Sequence, residues 1–309
     1  MMMMIWLLSL ISPLNGVEVE SVPERVFAVV VDNSPSARPQ SGISFASVVY
    51  EIPVEGGITR LLALYFGNEP SVVGPVRSLR KYMIPIIQEY DALIAHCGGD
   101  PGSWYEVALY SLPAFNELEG KGKYFRSTDR KAPHNLYLKL PETRIEAVKR
   151  GLQKGKQEVS GPFLISSQAT MTSEETQYVK IPYASGKISN YVEWKYDAES
   201  GLYYRWVNGV LQKDRLNGKV ISTRHIIIQR VWKKQVEGPP TWRIDLGILG
   251  TGNGWVITGG KREEIFWKKS SRERKTQYHY PDGTRVVLTP GTIWVEIVPD
   301  TVEITFSGG

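Results

Sequence analysis

The chain is poor in the residues that most readily announce a chemistry. Its 309 residues hold one cysteine, Cys97, and four histidines. One cysteine rules out an intrachain disulfide, and no CxxC or Cys/His spacing marks a zinc site. Cys97, followed by two glycines, suits a small buried thiol better than a nucleophile. There is no HExxH, HxH or DxD pattern, no Gly-rich loop ending in GK[ST] and no GxSxG around a serine. Metalloprotease, P-loop and serine-hydrolase chemistries therefore have no signature here, and neither a metal nor a cofactor is expected. Long hydrophobic runs are missing too. The longest, residues 1–12, is too short to span a bilayer.

That short run fits the apolar region of a signal peptide, although no Lys or Arg precedes it and no Ala-x-Ala follows. Residues 1–22 are expected as a signal-like or anchor segment, with a buried N-terminal segment as the alternative. The expectation is an exported protein, touching membrane only through this segment. The net charge of +5 is uneven: from Lys187 onward there are 19 Lys and Arg against 13 Asp and Glu, and before it 18 against 19. The basic excess belongs to the C-terminal part. It suits either a polyanion or a plain solvated surface, and export argues against nucleic acid.

Residues 23–155 read as an α+β or α/β domain. Apolar runs at 25–32, 46–53, 58–66 and 92–96 suit strands covered on both faces. Helices are expected at 81–90, 103–112 (capped by Ser103) and 141–154, where Pro141 opens and Lys149, Arg150 and Lys154 close the segment. Residues 156–188, rich in Ser, Thr, Gln and Gly, are expected as a linker. Residues 189–309 alternate in short strands and carry seven of the nine tryptophans. They read as an all-β, sandwich- or barrel-like domain. Within it, Gly250–Gly254 reads as a turn and 268–275 as a basic loop between strands.

The N-terminal domain concentrates polar residues beside Gly and Pro. Arginine offers a planar fork of donors matched to carboxylate and phosphate. Arg77 and Arg80 flank Ser78 after a Gly-Pro turn and before an expected helix, the best anion-binding candidate. The expected ligand-binding set is Asn33, Arg38, Arg60, Arg77, Ser78, Arg80, Arg130 and Asn135. The alternative is an internal network in which these arginines pair with Asp32, Glu51 and Glu55. Glu51, Glu55 and Asp100, with His96 and His134, are the acid–base candidates.

These clusters resemble the YerB-type bacterial lipoproteins, a family of unknown function with DUF3048 domains. Ala37–Gly42, Val49-Tyr50-Glu51, Glu55–Arg60, Gly74–Ser78, His96-x-Gly98-Gly99 and Ala132–Asn135 carry the N-terminal resemblance. Glu193–Asp197, Val207-Asn208-Gly209 and Pro290–Glu296 carry the C-terminal one. The resemblance implies a two-domain exported protein of the bacterial envelope and no established reaction. Many such proteins look lipidated on a cysteine near the N-terminus, and this chain has none there. The expected function is to bind an anionic cell-wall or glycan ligand, or an envelope protein partner, through an Arg-rich N-terminal pocket. The alternative is an envelope hydrolase acting on a glycan or phosphoester.

Overall fold

A computed structural model describes residues 9–168, 174–184, 189–236 and 243–308. The protein is mostly β, 43% strand against 14% helix, so the sheets rather than the helices organise it. The three α-helices among the described residues, Ile84–Glu89, Pro101–Leu109 and Leu140–Lys149, all lie in the N-terminal part.

One eleven-stranded sheet runs through both parts. Its N-terminal half is Val48–Pro53, Thr59–Tyr65, Phe27–Asp32, Leu93–His96 and Ala114–Asn116, side by side in that order. Strand Ile293–Pro299 then pairs in parallel with Val48–Pro53 on one side and with His225–Val231 on the other. Gly250–Thr258 and Lys261–Lys269 continue outward as an antiparallel pair. The C-terminal strands therefore do not close on themselves. All seven residues of Ile293–Pro299 are buried, and such a strand needs neighbours on both edges, as well as cover on both faces.

One face of this sheet is covered by helix Ile84–Glu89, with Leu14, Phe163 and Tyr278 in the same core. The other face, carrying Val29, Val31, Val49, Ala63 and Trp294, meets helix Leu140–Lys149 and a second, six-stranded sheet. That sheet contributes Val179, Ile181, Val192, Trp194, Tyr203 and Val207. Two sheets thus face each other; the larger draws on both halves of the chain and the smaller on strands from Tyr178–Ala184 onward.

Several local expectations change. Strand Tyr178–Ala184, a full member of the six-stranded sheet, and strands Leu164–Ile165 and Glu174–Glu175 fall within 156–188, the stretch read as a linker; 169–173 and 185–188 lie outside the described residues. Helix Pro101–Leu109 is capped by Asp100, whose Oδ1 accepts from the Ser103 N–H at 3.0 Å, so Ser103 is capped rather than capping. Gly250–Thr258 is one nine-residue strand, not a turn followed by a strand. Its glycines mark close approach: a Cβ on Gly254 would lie 1.8 Å from the Ile228 carbonyl oxygen, and one on Gly252 would meet the Trp267 ring at 2.6 Å. The basic 268–275 segment is partly interior, since Lys269 is buried against Glu89 and Arg272 pairs with Glu106. Near the N-terminus, Leu10–Ile11 pairs with Glu18–Val19, and Ser12, Leu14 and Asn15 are buried. No helix among the described residues is long and apolar enough to cross a membrane.

Candidate functional site

The polar clusters separate into three places, and only one faces solvent with unused groups. The first is sealed between the two sheets. Glu51 and Glu296 are register partners on adjacent parallel strands, and both are fully buried on the inner face. Glu51 Oε1 accepts from Asn33 Nδ2 at 2.9 Å and Thr59 Oγ1 at 2.7 Å, while its Oε2 meets the buried Arg205 guanidinium at 2.5 Å. Glu296 accepts from Tyr183 OH at 2.6 Å and Trp194 Nε1 at 2.8 Å. Arg205 lies over the Trp294 ring at 4.9 Å.

One cation thus serves two carboxylates. Burial, then the neighbouring Glu51 charge, pushes the Glu296 carboxyl up to about 8. A carboxyl raised by folding stabilises the protein while protonated, so that contribution is present below the ordinary carboxyl range and is lost as pH rises through about 8. Glu296→Gln should remove this slope. Urea midpoints measured from pH 5 to 9 should decline for the parent and stay flatter for the variant. Parallel curves would mean that Glu296 does not titrate in this window.

The second group is structural. Arg38 donates to the Asn33 carbonyl at 2.7 Å and to Asn190 Oδ1 at 3.3 Å, and burial, then Arg205, lowers its pKa to about 10. Arg60 donates to the Ser78 carbonyl at 2.5 Å. Burial, then the adjacent Arg80, brings Arg60 also to about 10. Arg80 pairs with Glu55 at 2.9 Å and donates to the Leu79 carbonyl at 3.1 Å. Arg130 clamps the 35–39 loop through the Ala37 and Pro39 carbonyls at 2.5 and 2.7 Å. Asn135 donates to the Ser127 carbonyl and accepts from Arg126. Asp100, beyond its capping role, accepts from the Lys81 N–H at 3.0 Å and lines, with Glu55, a cavity of about 200 Å³. His96 is buried and bonded through Nδ1 to the Gly98 carbonyl at 2.7 Å, and its Nε2 has no partner among the described residues. Burial lowers the His96 pKa, which favours the neutral imidazole.

The third group sits where strand Phe27–Asp32 ends and the 74–80 and 127–135 loops meet it. The Gly74–Pro75 and Ala132–Pro133 bonds in those loops are cis. Asp32 Oδ2 meets His134 Nδ1 at 2.7 Å and Arg77 Nε at 3.0 Å, and its Oδ1 accepts from the Ser34 N–H at 2.9 Å. Burial alone would raise the Asp32 pKa, but the Ser34 N–H, His134 and Arg77 outweigh it and the net shift is downward. Ser34 Oγ lies 3.1 Å from the same His134 Nδ1. The Arg77 and His134 side chains are about a quarter exposed, at 27% and 23%. The terminal guanidinium nitrogens of Arg77, His134 Nε2 and Ser78 Oγ make no hydrogen bond among the described residues.

His134 and Arg77 are thus brought together, with Ser78 next to Arg77 in sequence; His96, Glu51, Glu55 and Asp100 stand elsewhere and do not assemble with His134. No group of three or more His, Cys, Asp or Glu among the described residues is arranged to hold a metal ion.

Family models match this chain over residues 12–155 and 179–295, as the N-terminal and C-terminal domains of a protein of unknown function, DUF3048. A Bacillus subtilis protein named "Putative lipoprotein YerB" is 32% identical over 301 residues, spanning 96% of this chain and 89% of that one. The chain belongs to the DUF3048 family. The crystal structure of YerB protein from Bacillus subtilis superposes with a TM-score of 0.85, covering 96% of this chain and 99% of that one. The first DUF3048 unit contains every expected site residue, whereas Arg205 and Glu296, the partners of its Glu51, lie in or at the edge of the second.

Sequence reasoning missed two central residues, Arg205 and Glu296, and named Asp32 only as an arginine partner in the internal network, because at the end of an apolar strand its facing is undetermined. Arg205 and Glu296 carry a signal in hindsight. Arg205 occupies an inward position of the Tyr203-x-Arg205-x-Val207 alternation, and Glu296 interrupts the apolar run Ile293–Val298.

Proposed function

We propose that the protein is an exported cell-envelope protein that holds a small anionic group at Arg77 and His134. The group would be a carboxylate or phosphate carried by a cell-wall or glycan fragment. One observation carries this reading: of the five arginines expected to line an anion pocket, Arg77 alone makes no hydrogen bond through its terminal nitrogens among the described residues. It stands beside a histidine whose outer nitrogen is also uncommitted. Asp32 fixes both side chains from below, the preorganisation a recognition site needs. The apolar run at residues 1–12 and the lipoprotein name of the Bacillus subtilis relative support export and envelope association.

Thermal shift with glycerol phosphate and with N-acetylmuramic acid tests the reading. A ligand at one hundred times its Kd stabilises by about 2.7 kcal/mol. Arg77→Ala should weaken binding by roughly ten- to hundred-fold, the scale of one charged hydrogen-bond pair. Arg130→Ala, at a clamp, should lower the melting temperature without that selective loss. Equal ligand response in parent and Arg77→Ala would overturn the proposal.

The hydrolase reading has one observation in its favour. A carboxylate bonded to a histidine Nδ1 is how an acid–base imidazole is oriented. However, Ser34 Oγ approaches the same ring nitrogen as Asp32, and among the described residues no hydroxyl is hydrogen-bonded to Nε2. Turnover of a glycan or phosphoester that is lost in His134→Gln would favour the hydrolase.

A further inference from the structure

Asp32 decides what the outer edge of the His134 ring offers. Burial works against ionisation of Asp32, but the Ser34 N–H, His134 and Arg77 together lower its pKa, so the carboxylate is charged. A charged carboxylate only accepts hydrogen bonds. His134 Nδ1 lies 2.7 Å from Asp32 Oδ2, and a bare Nδ1 there would set lone pair against lone pair. Nδ1 therefore carries a proton. Ser34 Oγ, 3.1 Å from the same nitrogen, can share that N–H as a second acceptor. In a neutral imidazole whose Nδ1 is the donor, Nε2 is an acceptor. Both ring contacts of His134 are made through Nδ1, and its Nε2 lone pair meets no donor among the described residues.

The two open ends of the site thus differ in kind. Arg77 has donors only and takes anionic oxygens. A second anionic oxygen at His134 Nε2 would face a lone pair, whereas a hydroxyl would donate to it. The spacing of the two is set before a ligand arrives. Asp32 Oδ2 also meets Arg77 Nε at 3.0 Å, so guanidinium and imidazole hang on one oxygen atom. The Arg77 N–H donates to the Val30 carbonyl at 2.9 Å, and the Arg77 carbonyl accepts from the Cys97 N–H at 3.1 Å. The His134 N–H donates to the Lys131 carbonyl at 3.0 Å, which closes its loop.

We infer that the ligand of this site carries a hydroxyl beside its anionic group, with Arg77 taking the anion and His134 Nε2 accepting from the hydroxyl. The class is a hydroxyl-bearing anion, such as a sugar or polyol phosphate or a hydroxy acid, rather than a bare anion. This rests on the anion reading of Arg77 and sharpens it from one charge to two adjacent groups. A site that hydrogen-bonds a hydroxyl rejects the analogue lacking it, because its own polar atom is then left unpaired.

The test titrates the full chain by calorimetry with two matched pairs: glycerol phosphate against propyl phosphate, and glycerate against propionate. Members of a pair carry the same charge and differ in their hydroxyls. At about pH 8 both phosphates are doubly ionised, since the second pKa of such an ester is about 6. In at least one pair the hydroxyl-bearing member should bind about five- to tenfold more tightly, the scale of one hydrogen bond. His134→Ala should bring that ratio to unity while the anion still binds, and Arg77→Ala should weaken both members together. Long-range proton–nitrogen NMR of the ring, assigned through His134→Gln, should place the proton on Nδ1. Equal binding within both pairs would overturn the hydroxyl contact and leave the Arg77 reading intact. So would a ring proton on Nε2, or selectivity that survives His134→Ala. Failure of all four compounds to bind would overturn the Arg77 reading itself, and this inference with it.

Discussion

Arg205→Ala is expected to cost about 3–5 kcal/mol of stability, the scale of breaking a buried ion pair from one side. The Arg205 and Glu51 side chains are only 1% and 0% exposed, and Glu296 shares the same interior. Losing the guanidinium leaves the buried Glu51 carboxylate, beside the Glu296 carboxyl on the neighbouring strand, without its paired cation. Asn33 and Thr59 still donate to Glu51, but neutral donors offset only part of a buried charge. The measurement is the urea midpoint at neutral pH, with Arg205→Lys as a milder companion should the alanine variant fail to fold. Arg205→Met combined with Glu51→Leu should recover much of the loss, since well-packed apolar replacements of a buried pair are often neutral or better. A loss below about 1 kcal/mol for Arg205→Ala would place this pair with solvent-exposed bridges.

Lys269→Met should have a comparable effect on the opposite face of the large sheet. The Lys269 and Glu89 side chains are 0% and 1% exposed and 2.9 Å apart. Glu89 also accepts from the Thr276 N–H and Oγ1, each at 2.8 Å, and from Tyr50 OH at 3.3 Å. Removing the ammonium leaves this carboxylate uncompensated, at about 3–5 kcal/mol. Adding Glu89→Gln should restore part of it, and a double-mutant cycle then isolates the pair. Glu89 ends the N-terminal helix Ile84–Glu89, whereas Lys269 ends a C-terminal strand, so the pair ties the two halves together as Arg205 and Glu51 do. Each single variant should therefore shift one common unfolding transition. Two separated transitions, with only the C-terminal one displaced, would contradict that coupling.

The N-terminal strands were legible because their apolar runs are long and uninterrupted, as at Phe27–Val31 and Leu61–Phe66. The helices were placed to within a few residues, but the Asp100 cap was read as Ser103, since either residue type caps and only backbone geometry distinguishes them. Gly250–Gly254 looked like a turn because five residues with three glycines carry no periodic signal. Their strand conformation follows from the tight approach of Ile228 and Trp267.

The site divided in the same way. Residue types showed that the N-terminal part concentrates arginine, carboxylate and histidine, and they left open whether these form a pocket or an internal network. Arg38, Arg60, Arg80 and Arg130 direct donors to carbonyls and carboxylates of this chain. Arg77 and His134 remained, gathered by Asp32.

By itself, then, the sequence determined the family, the β-rich C-terminal part, the strands of the N-terminal part and the chemical character of the polar clusters. These follow from local composition, periodicity and motif, which a chain carries without its fold. Only the tertiary structure decided that Ile293–Pro299 joins the two halves in one sheet, that Glu51 meets Arg205 and Glu296, and that Arg77 and His134 meet at Asp32. Those outcomes depend on register and facing across more than a hundred residues, and a side chain's partners are set by what the sheets bring opposite it.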